Sequence, residues 1–130
     1  MEGKNLPTVL IVDDEPIVRN LVRLSLADAG YTVLDATSGA DALELCQSLG
    51  EQQIDLLIVD HNLRPDKGRV VAANIVRFCP SIKVLVTSGW NFQTVHDEDG
   101  IPPGSSFLQK PFTPQQLLSI VHSVLFPDTQ

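Results

Sequence analysis

The sequence predicts an α/β fold in which five parallel strands form one doubly wound sheet with helices on both faces, and three observations carry the prediction. Five short, mostly apolar runs lie at 8–12, 31–34, 56–59, 82–86 and 106–108, and the most uniform of them fit strands buried on both faces. Segments with apolar residues at helical spacing separate these runs, through connections short enough for α/β units. Right-handed crossovers between parallel strands then distribute the helices over both faces of the sheet. A chain of 130 residues suffices for one such domain and not for two of ordinary size.

Residues 8–12 read as the first strand and Asp13-Asp14-Glu15 as the loop beyond it. Pro16 suits the first turn of a helix, where its missing N–H is not needed. Ile17, Leu21 and Leu24, beside Val18, Val22 and Leu26, make a broad apolar stripe that predicts a buried face, and Gly30 stops the helix. The second strand covers 31–34 and is left by Asp35-Ala-Thr-Ser38. Ser38 and Asp41 form a capping pair for the second helix, which buries Ala42, Leu45 and Leu49 and ends at Gly50. The third strand stops at Asp60, and a polar loop follows at 61–68. From about Arg69 the third helix carries Val71, Ile75 and Phe78 on one side, with Ala72 and Val76 beside them, until Pro80 prevents its extension. After the fourth strand, 89–100 predicts only a short or distorted helix anchored by Phe92 and Val95. Beyond the brief fifth strand, Thr113, Pro114 and Gln116 mark a capping box, and Leu117, Val121 and Val124 or Leu125 line the inner face of the last helix. The domain is expected at 8–125, with an extension at 1–7 and a tail or linker start at 126–130.

Sixteen acidic against nine basic residues give a formal charge of −7, which disfavours a phosphate-backbone partner, so direct nucleic-acid binding is not expected. The apolar runs are far below a membrane span and the first residues, Met1-Glu-Gly-Lys-Asn5, are no signal segment. A soluble, cytoplasmic protein without membrane insertion is the expectation. Cys46 and Cys79 sit in apolar helical patterns without C-x-x-C spacing or a histidine neighbour, and read as small semi-buried hydrophobes. His61, His96 and His122 have no companion at metal or triad spacing and read as surface or structural residues. No G-x-G-x-x-G or P-loop element supports a nucleotide site.

The polar residues that end the strands carry the chemistry. Open parallel sheets bind ligands beyond the carboxyl ends of their strands, where Asp13 and Asp14, Asp60, Thr87 and Lys110 would converge. Any one of these aspartates alone reads as a turn or cap residue. Compatible chemistry at four strand ends together argues for a site. Clustered carboxylates share a proton or bind a cation, and oxygen donors without sulfur or imidazole suit Mg²⁺, the ion that accompanies phosphoryl transfer. Lys110 offers a point charge and Thr87 a hydroxyl to a phosphoryl oxygen, so the set makes a coherent site for an acyl phosphate on Asp60.

Taken together, Asp13-Asp14, Asp60 with Gly68 eight residues on, Thr87-Ser88-Gly89 and Lys110-Pro111-Phe112 resemble the receiver domain of two-component response regulators, over nearly the whole chain. The resemblance implies a flavodoxin-like sheet of order 2-1-3-4-5 and a cis Lys110–Pro111 bond. It implies Mg²⁺ held by Asp14, Asp60 and the main-chain carbonyl of Asn62, with Asp13 acting mostly through water. A histidine kinase or a histidine phosphotransfer protein is the implied donor to Asp60, which undergoes Mg²⁺-dependent self-phosphorylation and later loses the group to water or another histidine. In similar receivers the threonine at the position of Thr87 moves toward the phosphoryl group and an aromatic residue at the position of Phe107 follows inward. A monomer or a weak phosphorylation-dependent dimer is expected. The short polar fourth helix departs from the family pattern, and Arg64 stands where the family commonly has proline, with Pro65 after it. A stand-alone regulator and a domain of a hybrid histidine kinase both fit, and the output partner or attached output domain is unknown. The alternative is an interaction scaffold of the same fold working largely without phosphorylation, against which the complete set of site residues speaks. A metabolic phosphatase would need a second carboxylate in a D-x-D pair, and Asp60 is followed by His61-Asn62.

Overall fold

The computed structural model describes residues 6–49, 54–98 and 100–127. Five strands and five helices alternate: β1 (Thr8–Val12), α1 (Pro16–Asp28), β2 (Thr32–Ala36), α2 (Gly39–Leu49), β3 (Leu56–Asp60), α3 (Gly68–Phe78), β4 (Lys83–Ser88), α4 (Phe92–Glu98), β5 (Ser106–Gln109) and α5 (Pro114–Leu125). Every strand pair is parallel and the order is β2-β1-β3-β4-β5, the expected doubly wound arrangement. The chain therefore steps outward from β1 to β2 and then reverses past β1 to β3, and the reversal opens a crevice at the carboxyl ends of β1 and β3.

β3 is buried along its whole length, and its alternation divides the core into two layers. Leu57 and Val59 join Leu10, Val12, Val84 and Val86 against Ala42, Cys46, Val71, Ala72 and Ile75 of α2 and α3. Leu56 and Ile58 join Val9, Ile11 and Leu85 against Val22, Leu26, Leu117 and Val121 of α1 and α5. Each fully buried aliphatic side chain of this kind stabilises by about 1.5–3 kcal/mol. Leu6 and Phe126 pack on the second layer from either end of the described chain.

Three expectations about packing and strand ends are corrected. On α1 only one edge of the apolar stripe faces the core: Val22 and Leu26 are buried, whereas Ile17 is 84% and Leu24 57% exposed, with Leu21 also exposed. At the end of α3, Phe78 turns out to solvent at 45% exposure, while Val71, Ala72 and Ile75 take the buried face. β2 and β4 run further than their apolar residues suggest. Asp35 and Ala36 remain in β2 because they pair with Ile11 and Val12, and Thr87 and Ser88 remain in β4 because they pair with Leu108 and Gln109 of β5, Thr87 also with Asp60 of β3.

Other local expectations hold. Asp41 N–H donates to Ser38 Oγ at 3.2 Å, although the Asp41 carboxylate is taken by Thr37 at 3.3 Å. In α5 both halves of the capping box form, Gln116 N–H to Thr113 Oγ1 at 3.0 Å and Thr113 N–H to Gln116 Oε1 at 2.9 Å. α4 is short, anchored by buried Val95 and started by Asn91, whose Oδ1 accepts from Thr94 N–H at 2.9 Å. Phe92, by contrast, is exposed. Gly100, at φ 74°, closes the turn after α4 with its N–H on the Val95 carbonyl at 3.0 Å. The Lys110–Pro111 bond is cis as expected, and so is Arg64–Pro65. Cys46 is buried and Cys79 partly buried, both as free thiols. Burial pushes the Cys46 thiol up to about 11, with Cys79 beside it adding to the shift. Gly50 and most of the tail at 126–130 lie outside the described residues. Among the described residues no helix is long and apolar enough to cross a membrane.

Candidate functional site

β1 delivers Asp13 and β3 delivers Asp60 to the same crevice, and both side chains are nearly sealed, at 3% and 5% exposure. A carboxylate this deep must be met by hydrogen bonds or charge. Asp13 Oδ1 accepts from Glu15 N–H at 2.9 Å, and Asp13 Oδ2 lies 3.2 Å from Lys110 Nζ. The Asp13 backbone is pinned as well, its N–H on the Ala36 carbonyl at 3.3 Å and its carbonyl accepting from Arg19 Nη1 at 2.9 Å. Asp60 Oδ1 accepts from Asn62 N–H at 3.2 Å, which folds the chain back over the strand end. Asp60 Oδ2 is 3.3 Å from Lys110 Nζ.

Lys110 is the hub of the site. Its N–H donates to the Ser88 carbonyl at 2.7 Å, fixing the residue at the end of β5, and its ammonium reaches Glu15 Oε1 at 2.9 Å besides Asp13 and Asp60. Burial works against the charged ammonium, but the hydrogen bond to Glu15 and the charges of Asp60, Asp13 and Glu15 outweigh it and hold the Lys110 pKa above the ordinary lysine value. Burial pushes the Asp13 carboxyl above its usual range, with the Asp60 charge adding to the effect and the Glu15 N–H and Lys110 opposing it. Desolvation of Asp13 is thus only partly relieved by the protein's own groups.

Asp13, Glu15 and Asp60 each offer an oxygen, and these atoms lie within 4.8 Å of one another. Three carboxylates facing one ammonium carry a formal excess of two negative charges, the charge of one divalent cation. An all-oxygen donor set of this kind fits a hard divalent ion. The crevice around them, about 480 Å³, is lined also by Asp14, Asn62, Arg64 and Gly89.

Of the residues singled out from the sequence, Asp13, Asp60 and Lys110 are in direct contact distance. Asp14 and Asn62 line the crevice and are exposed to it. Thr87 is buried and pairs with Asp60 in the sheet register, so its side chain shares the face of the sheet that carries Asp60. Phe107 is half-buried, stands opposite Val86, and meets the Phe92 ring edge-on at 5.6 Å. Glu15 was not anticipated. Its signal was present, because a chain leaving a strand in extended form sends residues i and i+2 to one side, which groups Asp13 with Glu15 instead of Asp14. Of the histidines, His61 is buried against Trp90 at 5.9 Å, and His96 and His122 are exposed beside Phe92 and Phe126.

A family model describing the response regulator receiver domain matches residues 9–122. The sensor kinase CckA of Brucella abortus is 32% identical over 118 residues, which cover 91% of this chain and 12% of that protein. The aerobic respiration control protein ArcA of Escherichia coli is 34% identical over 112 residues, covering 85% of this chain and 45% of that one. The chain therefore spans less than half the length of these two relatives. Among solved structures, the chemotaxis response regulator CheY4 of Vibrio cholerae is similar with a TM-score of 0.82 at 28% identity, covering 93% of this chain and 100% of that one.

Proposed function

This chain belongs to the response regulator receiver domain family, the receivers of two-component signalling, and from that premise we propose that Asp60 is its phosphoacceptor and that Mg²⁺ is the ion of its acidic pocket. Receiver domains typically bind a divalent metal at such a pocket and take histidine kinases or histidine phosphotransfer proteins as partners. The observation that carries the reading is Lys110 held within 3.3 Å of Asp60, Asp13 and Glu15 at the meeting of three strand ends.

In the transfer, an Asp60 carboxylate oxygen attacks phosphorus, the bond from phosphorus to the donor imidazole nitrogen breaks, and the imidazole keeps the electron pair. Bound Mg²⁺ supplies charge neutralisation for the phosphoryl oxygens. Lys110 exchanges part of its carboxylate contacts for a phosphoryl oxygen, as a compact ammonium on a flexible stem can do. The apolar residues Ile17, Leu21 and Leu24, left exposed on α1 just beyond Glu15, give a donor protein an adjacent surface on which to seat. A cytoplasmic protein, monomeric or weakly dimeric when phosphorylated, completes the reading. Acetyl phosphate with Mg²⁺ is expected to add one phosphoryl group by intact mass, and EDTA to prevent it; labelling unaffected by EDTA would refute the metal-assisted reading.

Asp14, Asp60 and the Asn62 carbonyl are the proposed direct ligands, with Asp13 acting mostly through water. Both Asp13 oxygens already have protein partners, whereas Asp14 is open to the crevice. Magnesium titrations should therefore show a larger loss of affinity for Asp14→Asn than for Asp13→Asn, and the reverse order would exchange their roles.

Thr87 and Phe107 are proposed to carry the signal. A hydrogen bond from the Thr87 hydroxyl to the phosphoryl group draws in the end of β4, and Val86, its neighbour, pairs with Phe107. A ligand shifts a conformational equilibrium only through contacts that differ between the states. Thr87→Ala should accordingly remain phosphorylatable while Phe107 and the face around Leu117 respond weakly. Amide NMR with Mg²⁺ and beryllofluoride decides the point, since equal shifts around Phe107 in saturated wild type and T87A would exclude Thr87 as the coupling residue.

A further inference from the structure

The two cysteines are far apart in sequence and meet where α2 packs on α3. Both helices lie on one face of a parallel sheet, so they run in the same direction. They touch at their starts, because a Cβ on Gly39 of α2 would stand 2.6 Å from Val71 Cγ2 of α3. Seven residues further along each helix, two turns or about 10 Å, Gly39 of α2 gives way to Cys46, and Ala72, next to Val71, gives way to Cys79. Between these points Leu43 and Gln47 line a groove together with Asn74 and Phe78, so the helices stay side by side. Gly39, Ala42 and Cys46 are small, and small contact residues let the two helix axes approach closely.

At the end of this contact the thiols lie beside one another. Cys46 is buried, and Cys79 packs against the same apolar layer from a partly buried position. The backbone of Cys79 is held from both sides, its N–H on the Ile75 carbonyl at 2.7 Å and its carbonyl accepting from Ile82 N–H at 3.1 Å. Burial and the neighbouring Cys79 thiol together raise the Cys46 pKa to about 11, so Cys46 rests as a protonated thiol. Neither residue lines the acidic crevice.

We propose that Cys46 and Cys79 are a dithiol pair that a hydroperoxide converts reversibly into a disulfide between α2 and α3. Cys79 is the more accessible thiol and reacts first. Its sulfur bonds to a peroxide oxygen, the O–O bond breaks, and the leaving oxygen takes up the thiol proton, which leaves a sulfenic acid on Cys79. The Cys46 sulfur then attacks the Cys79 sulfur; the S–S bond forms, the S–O bond breaks, and the departing hydroxide takes the Cys46 proton as water. The two thiols together lose two electrons and the peroxide gains them. The bridge closes residues 46–79 into a loop that contains β3 and Asp60, and it anchors the far end of the helix that begins with Gly68 under the Asp60 carbonyl.

The test treats the full chain with excess hydrogen peroxide and reads intact mass and a digest, both without reductant. The expected product is a monomer lighter by two hydrogen atoms, with a linked peptide pair containing Cys46 and Cys79, and dithiothreitol should restore the original mass. Cys46→Ala should stop at a sulfenic acid on Cys79 that dimedone traps. Cys79→Ala should be oxidised at least about tenfold more slowly than wild type, because its remaining thiol is shielded and protonated. A covalent dimer through Cys79, oxygen added to Cys79 in the wild type without the linked peptides, or equal oxidation rates of C79A and wild type would each overturn the proposal. The linked peptides are read on the wild type, which keeps the test decisive if C46A does not fold.

Discussion

Lys110→Gln is expected to slow phosphorylation of Asp60 by acetyl phosphate about 100-fold or more, the range seen when one preorganised charge-stabilising group is lost from an active site. Among the described residues the ammonium is the cation that pairs with the side-chain carboxylates of Asp13, Glu15 and Asp60. Its removal takes away the partner of the incoming phosphoryl oxygens and leaves the carboxylates facing one another at close range. Glutamine keeps most of the length and can still donate a hydrogen bond, so the loss isolates charge from shape. Intact-mass time courses at saturating Mg²⁺ measure the effect, with circular dichroism to confirm that the fold persists. A loss below about threefold would show that Lys110 balances charge in the resting protein and plays no part in transfer.

The largest effect on stability is expected from Gly68→Ala, about 2–3 kcal/mol, within the range of overpacking. Gly68 begins α3 and is buried under the end of β3, with its N–H on the His61 carbonyl at 3.0 Å. A Cβ there would collide with the Asp60 carbonyl oxygen and crowd His61 Cα. Backbone on both sides of the contact leaves no rotamer to absorb the clash, so the acceptor's own main chain must shift. Phosphorylation should therefore slow together with the fall in stability. Gly89→Ala is the control, because a Cβ at Gly89 meets nothing within 4 Å. Urea unfolding of the two variants provides the comparison, and similar midpoints would remove the steric role given to Gly68.

These effects depend on features that differed in how far the sequence revealed them. β3 was legible because a strand buried on both faces is apolar at every position until the carboxylate that ends it. The start of α5 was legible because Thr113, Pro114 and Gln116 each act locally. The face of α1 was not: its apolar residues cover more of the helix than the sheet can bury, and only the placement against β1 and β2 decides that Val22 and Leu26 go inside while Ile17 and Leu24 stay out. The end of β4 was hidden for a related reason. Thr87 and Ser88 have the polarity of a loop, but backbone pairing with β5 on one side and, at Thr87, β3 on the other keeps them in the sheet. In the site, the strand-end logic grouped Asp13, Asp60 and Lys110 correctly and overlooked Glu15, whose position follows from the path of three residues after β1.

Chemical mapping of the modified residue tests the phosphoacceptor assignment most directly. Wild-type protein is treated with acetyl phosphate and Mg²⁺, and borohydride then reduces an aspartyl phosphate to homoserine, or a glutamyl phosphate to the one-carbon-longer 5-hydroxy residue, before peptide mass spectrometry. Homoserine at position 60 alone, with Asp13, Asp14 and Glu15 unmodified and no conversion in Asp60→Asn, is the predicted result. Conversion at one of the neighbouring carboxylates in the wild type, or equal conversion in D60N, would contradict it.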